Sequence, residues 1–329
     1  MIKDKKAAVY LVSSRKEILE KTLVNFYENW NYNFDYPVYV HYWGRVYDDD
    51  KYIEQIKNNI SKNIFFKKIK VKIPESLDEK DLFYNRKYNE YVKKKFSKKR
   101  IGYLHMLRFT TNLTSYGDPG CLVNELKKYN FLMKIDDEIY IKRKINFDLI
   151  DTRYCLSTAF SHERVPLKVR KECSENLFKF YKYYLKKFNI EPKSKLLKDA
   201  IFKNDENLFL QLPLPAGNLN IYNIDCFIEK GWEKYIKELN NISGDYKYRW
   251  GDCDTIGLFA QTHFDYAIHN FDLIKKGFYL PEFPDSGPAP DSDSIYNYYS
   301  NNIFLKTIKR FYKFYLRIKN RFKIKDENY

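Results

Sequence analysis

The first 75 residues alternate between two hydrophobic periods, and this constrains the fold more than any other feature. Ala7-Ala-Val-Tyr-Leu-Val12 is short and wholly apolar, as a strand buried on both faces must be. Ser13 and Ser14 then offer helix-cap hydroxyls, and Ile18, Leu19, Leu23, Phe26 and Trp30 follow at near-helical spacing. Pro37 precedes a second apolar run, Val38 to Trp43. Asp48, Asp49 and Asp50 open another helix, with Ile53, Ile56 and Ile60 along one side. Ile69-Lys-Val-Lys-Ile73 alternates strictly and stops at Pro74, which predicts a half-exposed strand. Strand, helix, strand, helix, strand predicts an α/β fold with a mostly parallel central sheet.

Further along, residues 76 to 100 are highly charged and read as a helical excursion. A helix starting near Tyr103 leads to the Gly-Asp-Pro-Gly turn at 117 to 120, and Tyr129 to Ile135 reads as a buried strand. Residues 176 to 188 form an aromatic, Lys-rich helix, Gly217 to Phe227 a strand then a helix start, and Trp250 to Phe264 a helix. At 329 residues the chain is just above the size at which one core stops growing, which fits one domain plus an appendage. We therefore expect a core over residues 1–283, a Pro/Ser/Asp-rich linker at 284–302, and a basic amphipathic helix at 303–329.

The net charge of +16 favours anionic partners, although a general lysine bias of the chain accounts for it equally. Five cysteines without C-x-x-C spacing argue against a zinc ribbon and a disulfide-stapled domain, and for a reducing compartment. No stretch approaches the roughly 18 apolar residues of a membrane span, and the apolar run near the N-terminus is too short for a signal-peptide core. The expected location is cytoplasmic, with peripheral attachment to a membrane through the tail.

The chemistry concentrates where the strand ending at Ile135 runs into Asp136-Asp137-Glu138. Ligands of open α/β sheets bind at the carboxyl ends of strands. Two carboxylates there, one residue apart, can hold Mn²⁺ or Mg²⁺ against diphosphate oxygens. An acidic turn closing a strand explains the same triplet without any ligand.

Read with its neighbours, the triplet becomes more specific. Tyr103, His105, Met106, Arg108 and Phe109 lie upstream, and Arg249-Trp-Gly-Asp252 downstream. In order and spacing these blocks resemble glycosyltransferase family 15, the fungal α-1,2-mannosyltransferases, over roughly residues 7 to 283. There Lys134 to Glu138 match an Arg-Val-Glu-Pro-Asp block. The resemblance implies a single Rossmann-like nucleotide-sugar transferase fold of the GT-A type, GDP-mannose as donor, Mn²⁺ as cofactor, and retaining transfer to a glycan or glycolipid acceptor. It also implies that Asp136 and Glu138 hold the metal. Tyr103, His105, Arg108, Lys134 and Asp136 would line the donor pocket, with Arg249 and Asp252 at the catalytic junction. The residues also admit blander roles: a core aromatic for Tyr103 and a helix cap for Asp252.

Two positions depart from the family. Pro215 stands where the family has a Glu, and Gly277-Phe-Tyr-Leu-Pro281 lacks the family's metal-binding His, for which His263 or His269 are the nearby substitutes. A catalytically impaired sugar-nucleotide-binding relative is therefore the alternative reading. A basic nucleic-acid-binding protein is the third, and no recognised RNA-binding block supports it. In the tail, Lys306, Lys309, Arg310, Lys313, Arg317 and Lys319 oppose an aromatic face, a pattern suited to an anionic membrane surface or to packing back on the core.

Overall fold

A computed structural model of the chain describes residues 6–85, 101–112, 124–141, 144–150, 153–158, 167–215, 217–265, 269–270 and 278–279. The expected linker and basic tail lie outside these residues, as does most of the charged excursion at 76–100. Of that excursion, residues 76–85 carry only two short 3₁₀ turns, Glu79–Asp81 and Phe83–Asn85.

The chain opens with β1 (Ala7–Val12), α1 (Lys16–Asn29), β2 (Val38–Tyr42), α2 (Asp50–Asn59) and β3 (Ile64–Lys68). Then come α3 (Ile101–Thr111), β4 (Phe131–Ile135), β5 (Tyr140–Ile141), β6 (Leu156–Thr158), α4 (Leu167–Cys173), α5 (Leu177–Phe188), α6 (Lys195–Phe202) and α7 (Glu206–Phe209). The rest is β7 (Leu219–Asn223), α8 (Ile224–Glu229), α9 (Trp232–Ile242), α10 (Gly244–Tyr248), α11 (Asp252–His263), β8 (His269–Asn270) and β9 (Phe278–Tyr279).

Among the described residues, seven strands form one sheet in the order β3-β2-β1-β4-β7-β6-β8, and β5 pairs with β9 apart from it. β1 pairs parallel with β2 and with β4, and β2 parallel with β3. β7 runs antiparallel to both β4 and β6. The sheet is thus mixed and mostly parallel, as expected. β1 shows why its run had to be apolar throughout. Ala8 and Tyr10 enter one core with residues of α5, α9 and α11, while Ala7, Val9 and Leu11 enter the other with residues of α1 and α2.

Two local expectations are corrected. The third strand is Ile64–Lys68, not Ile69–Ile73. Ile64, Phe65 and Phe66 pair in register with Val38, Tyr39 and Val40, and only the Ile69 amide continues the ladder, donating to the Tyr42 carbonyl at 2.8 Å. The alternating lysines mimicked a strand that the sheet does not use. Ser13 and Ser14 also do not occupy the cap position of α1, which is Arg15, and no side chain caps that helix there. At α2 the acidic start behaves as read, with Asp49 accepting from the Tyr52 amide at 3.2 Å.

His41, on β2, is fully buried beside Phe109, at 4.9 Å between ring centroids. Burial pushes its pKa down to about 3. The folded state therefore holds it neutral while the unfolded chain protonates it near pH 6.5, so its contribution is present above that pH and is lost as pH falls. We expect wild type to lose about 1.5 kcal/mol more stability than His41→Phe between pH 6.5 and 5. Urea denaturation at the two pH values measures it, and parallel pH profiles would contradict it.

Candidate functional site

The sheet reverses its winding between β1 and β4, and that crevice is where ligands of open α/β sheets bind. Three chain segments reach it: Ser13 to Arg15 after β1, Asp136 to Glu138 after β4, and Gly217–Asn218 before β7. The Asp136 amide donates to the Asn218 carbonyl at 2.9 Å, closing the turn at the strand end.

Lys134 is the centre of the cluster. Its side chain is 5% exposed, and its ammonium donates to Asp136 Oδ1 at 2.5 Å and to the Gly217 carbonyl. Asp252 Oδ2, from the first turn of α11, lies 3.8 Å away. Burial opposes the Lys134 charge, but the carboxylates of Asp136 and Asp252 outweigh it and hold its pKa above the ordinary value. Burial raises Asp252 above the usual carboxylate range, with Lys134 opposing. Asp252 Oδ1 accepts from the Cys253 amide at 3.0 Å.

Tyr103 and Arg249 complete this part of the site. The Arg249 guanidinium lies 4.9 Å from the Tyr103 ring centroid and donates to the phenol oxygen at 2.9 Å. Arg249 itself is in the left-handed region at φ 61°. Burial pushes the Tyr103 phenol up to about 12, Arg249 opposes it, and Asp252 and Asp136 add to the rise. Tyr103, Lys134, Asp136, Arg249 and Asp252 are therefore brought together, from three elements (α3, β4 and α11) and two connections.

Asp136 and Glu138 point to different cations. Glu138 Oε2 accepts from Arg15 at 2.5 Å, and Arg15 also pairs with Asp137. Burial pushes the Glu138 carboxyl up to about 8, Arg15 pulling it back and Asp137 and Asp136 pushing further. Asp137 is almost wholly buried and accepts from Ser13 Oγ at 2.6 Å, while its carbonyl accepts from Thr22 Oγ1 at 2.7 Å. Arg15 was not singled out from the sequence, Ser13 was read only as a helix cap, and Asp137 only as part of the acidic triplet. A cation at the carboxyl end of the most apolar strand was the available signal, and the cap reading of Ser13 and Ser14 concealed it.

His105 and Arg108 are engaged elsewhere. The Arg108 guanidinium clamps Asp245 with two bonds, Nη2 to Oδ1 at 2.8 Å, and lies 5.2 Å from the Tyr246 ring centroid. His105 Nδ1 is 2.7 Å from the Tyr246 hydroxyl. Both fasten α3 to α10. His263 packs on Phe259, with ring centroids 4.3 Å apart, and its pKa is lowered to about 4 by burial. The side chain of His269 lies outside the described residues. Pro215 is buried above α11, where Gly257 leaves room for its ring. Among the described residues no three His, Cys, Asp or Glu side chains converge as a metal cage. The four described cysteines are unbridged, and no described helix is long and apolar enough to cross a membrane.

The chain thus folds as a mixed, mostly parallel sheet with its polar cluster at the strand-order reversal. Among solved structures, it is similar to the mannosyltransferase Ktr4p of S. cerevisiae, with a TM-score of 0.63 and 20% identity over 82% of this chain and 69% of that one. The same yeast protein in complex with GDP matches with a TM-score of 0.63 and 19% identity over 87% of this chain and 74% of that one. Core-mannan synthase A (CmsA/Ktr4) of Aspergillus fumigatus in its Mn/GDP form matches with a TM-score of 0.64 and 16% identity, over 88% and 80%. At these identities the likeness establishes a shared fold. No family model matches the sequence, and no curated protein matches it.

Proposed function

We propose that the chain is a metal-dependent, retaining glycosyltransferase that moves mannose from GDP-mannose to a glycan or glycolipid acceptor. One observation carries this reading. On a fold shared with mannosyltransferases crystallised with GDP, the Lys134–Asp136–Asp252 cluster occupies the crevice where the sheet reverses.

The residues fit a divalent ion at one point. Asp136 keeps 35% of its side chain exposed, and only Oδ1 is engaged by Lys134. The carboxyl groups here are Asp136, Asp137, Glu138 and Asp252, against the cations Lys134, Arg15 and Arg249. Asp136 would hold the ion, while Glu138 stays with Arg15. When bound, the ion would offset the charge developing on the departing nucleoside diphosphate. Lys134 and Arg15 add fixed positive charge around the diphosphate position. Arg249 orients Tyr103 along the pocket wall, and Asp252 would accept a sugar hydroxyl at the donor–acceptor junction.

A donor screen across GDP- and UDP-sugars with Mn²⁺ tests the proposal. GDP-mannose should turn over fastest. Asp136→Asn should lower kcat by about 100-fold, the scale of removing one electrostatic contact to the reacting group. Glu138→Gln should cost less than about tenfold, since that group serves Arg15. Equal turnover in all three proteins removes Asp136 from the site. Pro215 motivates the second reading, because a buried ring offers no carboxylate at that position. Calorimetric donor binding without turnover on any sugar would favour a binding relative over an enzyme.

A further inference from the structure

Helix α6 is apolar on two sides. Leu197 and Ala200 face the core, whereas Phe202 is 91% exposed and Leu196 is 48% exposed. Phe202 leaves nearly all of its surface in water and Leu196 about half, and water contact with such surface is unfavourable. The neighbouring helix is joined to the same place. Lys182, in the middle of α5, donates to Asn204 Oδ1 at 2.5 Å, just beyond the end of α6. The exposed stripe of α5 adjacent to Lys182 carries Lys179, Tyr183 and Lys186. Tyr183 is itself 51% exposed. Three large apolar or aromatic side chains thus stand exposed on two helices joined by the Lys182–Asn204 bond, interspersed with lysines.

The charge of this face is one-sided. Residues 177–206 hold eight lysines against four carboxylates. Glu191 pairs with Lys198 at 2.6 Å, and Asp199 is half buried. Asp205 is taken up in capping α7, its Oδ1 accepting from the Leu208 amide at 2.9 Å, and Glu206 is exposed in the first turn of that helix. From outside the segment, Asp265 pairs with Lys193 at 3.2 Å and Glu238 with Lys187 at 2.8 Å. Lys179, Lys186, Lys195 and Lys203 are exposed and have no carboxylate partner among the described residues.

We propose that the α5–α6 face is a docking surface for an anionic phospholipid bilayer, with Phe202 and Leu196 entering the acyl boundary and the unpaired lysines meeting the headgroups. Apolar side chains within a cationic rim match an interface that is apolar below and anionic above. A polyanion such as single-stranded RNA would engage the lysines and leave no apolar phase for Leu196. The residues of this surface belong to the 177–206 segment and not to the 303–329 stretch.

The full-length protein is tested by co-sedimentation with vesicles of equimolar phosphatidylserine and phosphatidylcholine, and with phosphatidylcholine alone. Wild type should bind only the anionic vesicles. Phe202→Ser should weaken binding about tenfold, the scale of exposing one phenyl ring again. Lys195→Glu with Lys203→Glu should weaken it by at least about 25-fold, at roughly fivefold for each lysine removed near an acidic surface. Thermal melting of both variants should stay at the wild-type value, because these side chains are exposed. Unchanged vesicle binding in both variants would assign attachment to the tail and overturn the proposal, as would no vesicle binding by wild type. Equal loss of vesicle and single-stranded RNA binding in the lysine variant, with Phe202→Ser neutral in both, would also overturn it, since that outcome describes a general polyanion surface.

Discussion

Lys134→Ala should destabilise the protein by about 3–5 kcal/mol and weaken nucleotide-sugar binding by at least about tenfold. The ammonium is the charge that makes burial of Asp252 tolerable, and it also neutralises Asp136 and satisfies the Gly217 carbonyl. Removing it strands a carboxylate with little water access, which costs more than the attraction was worth in isolation. Asp136, at 35% exposure, can rehydrate, so most of the loss falls on Asp252. Two consequences separate this account from simple loss of packing. Lys134→Ala with Asp252→Asn should recover a large part of the stability, because the stranded charge is gone, while donor binding stays weak. Lys134→Met, which fills the same volume, should be nearly as unstable as Lys134→Ala. Urea denaturation of the three variants decides it. A double variant no more stable than the single one would show that Lys134 and Asp252 are not coupled.

How much of this was legible in the sequence depended on the reach of each interaction. Ala7–Val12 and the periodic Leu19, Leu23 and Phe26 announced β1 and α1, since local period alone sets which face is buried. The position of the third strand was not local, because Ile64–Lys68 is chosen by its register with β2. The site followed the same rule. Lys134 and Asp136 are two residues apart and were found together with the strand that carries them. Arg15 meets Asp137 across 122 residues, and no spacing in the chain indicates it. Arg108 went the other way. The family resemblance put Arg108 in the donor pocket, and in the structure it pairs with Asp245, 137 residues on, to anchor α10. The order of short blocks could place the crevice. It could not say which cation in each block pairs with which carboxylate.

Gly244→Ala should cost at least about 3 kcal/mol, the upper end for overfilling a packed core. A Cβ at this position would lie 2.1 Å from one ring carbon of Trp250 and 2.2 and 2.4 Å from two others, well inside van der Waals contact. The indole cannot simply withdraw. Its Nε1 donates to the Glu175 carbonyl at 2.9 Å, and its ring packs on Phe180 at 5.3 Å and on Tyr248 at 5.7 Å. The Trp250 amide is also tied back to the Gly244 carbonyl at 3.1 Å, so displacement must pass through the turn that sets Arg249. The strain should therefore reach the site. Gly244→Ala should lower the melting temperature and also weaken donor binding, through Arg249 and its partner Tyr103. Trimming the obstruction supplies the control: Gly244→Ala with Trp250→Leu should be more stable than the two single losses added together. Strict additivity, or a Gly244→Ala protein with wild-type stability, would show that the indole has room to move that this packing denies it.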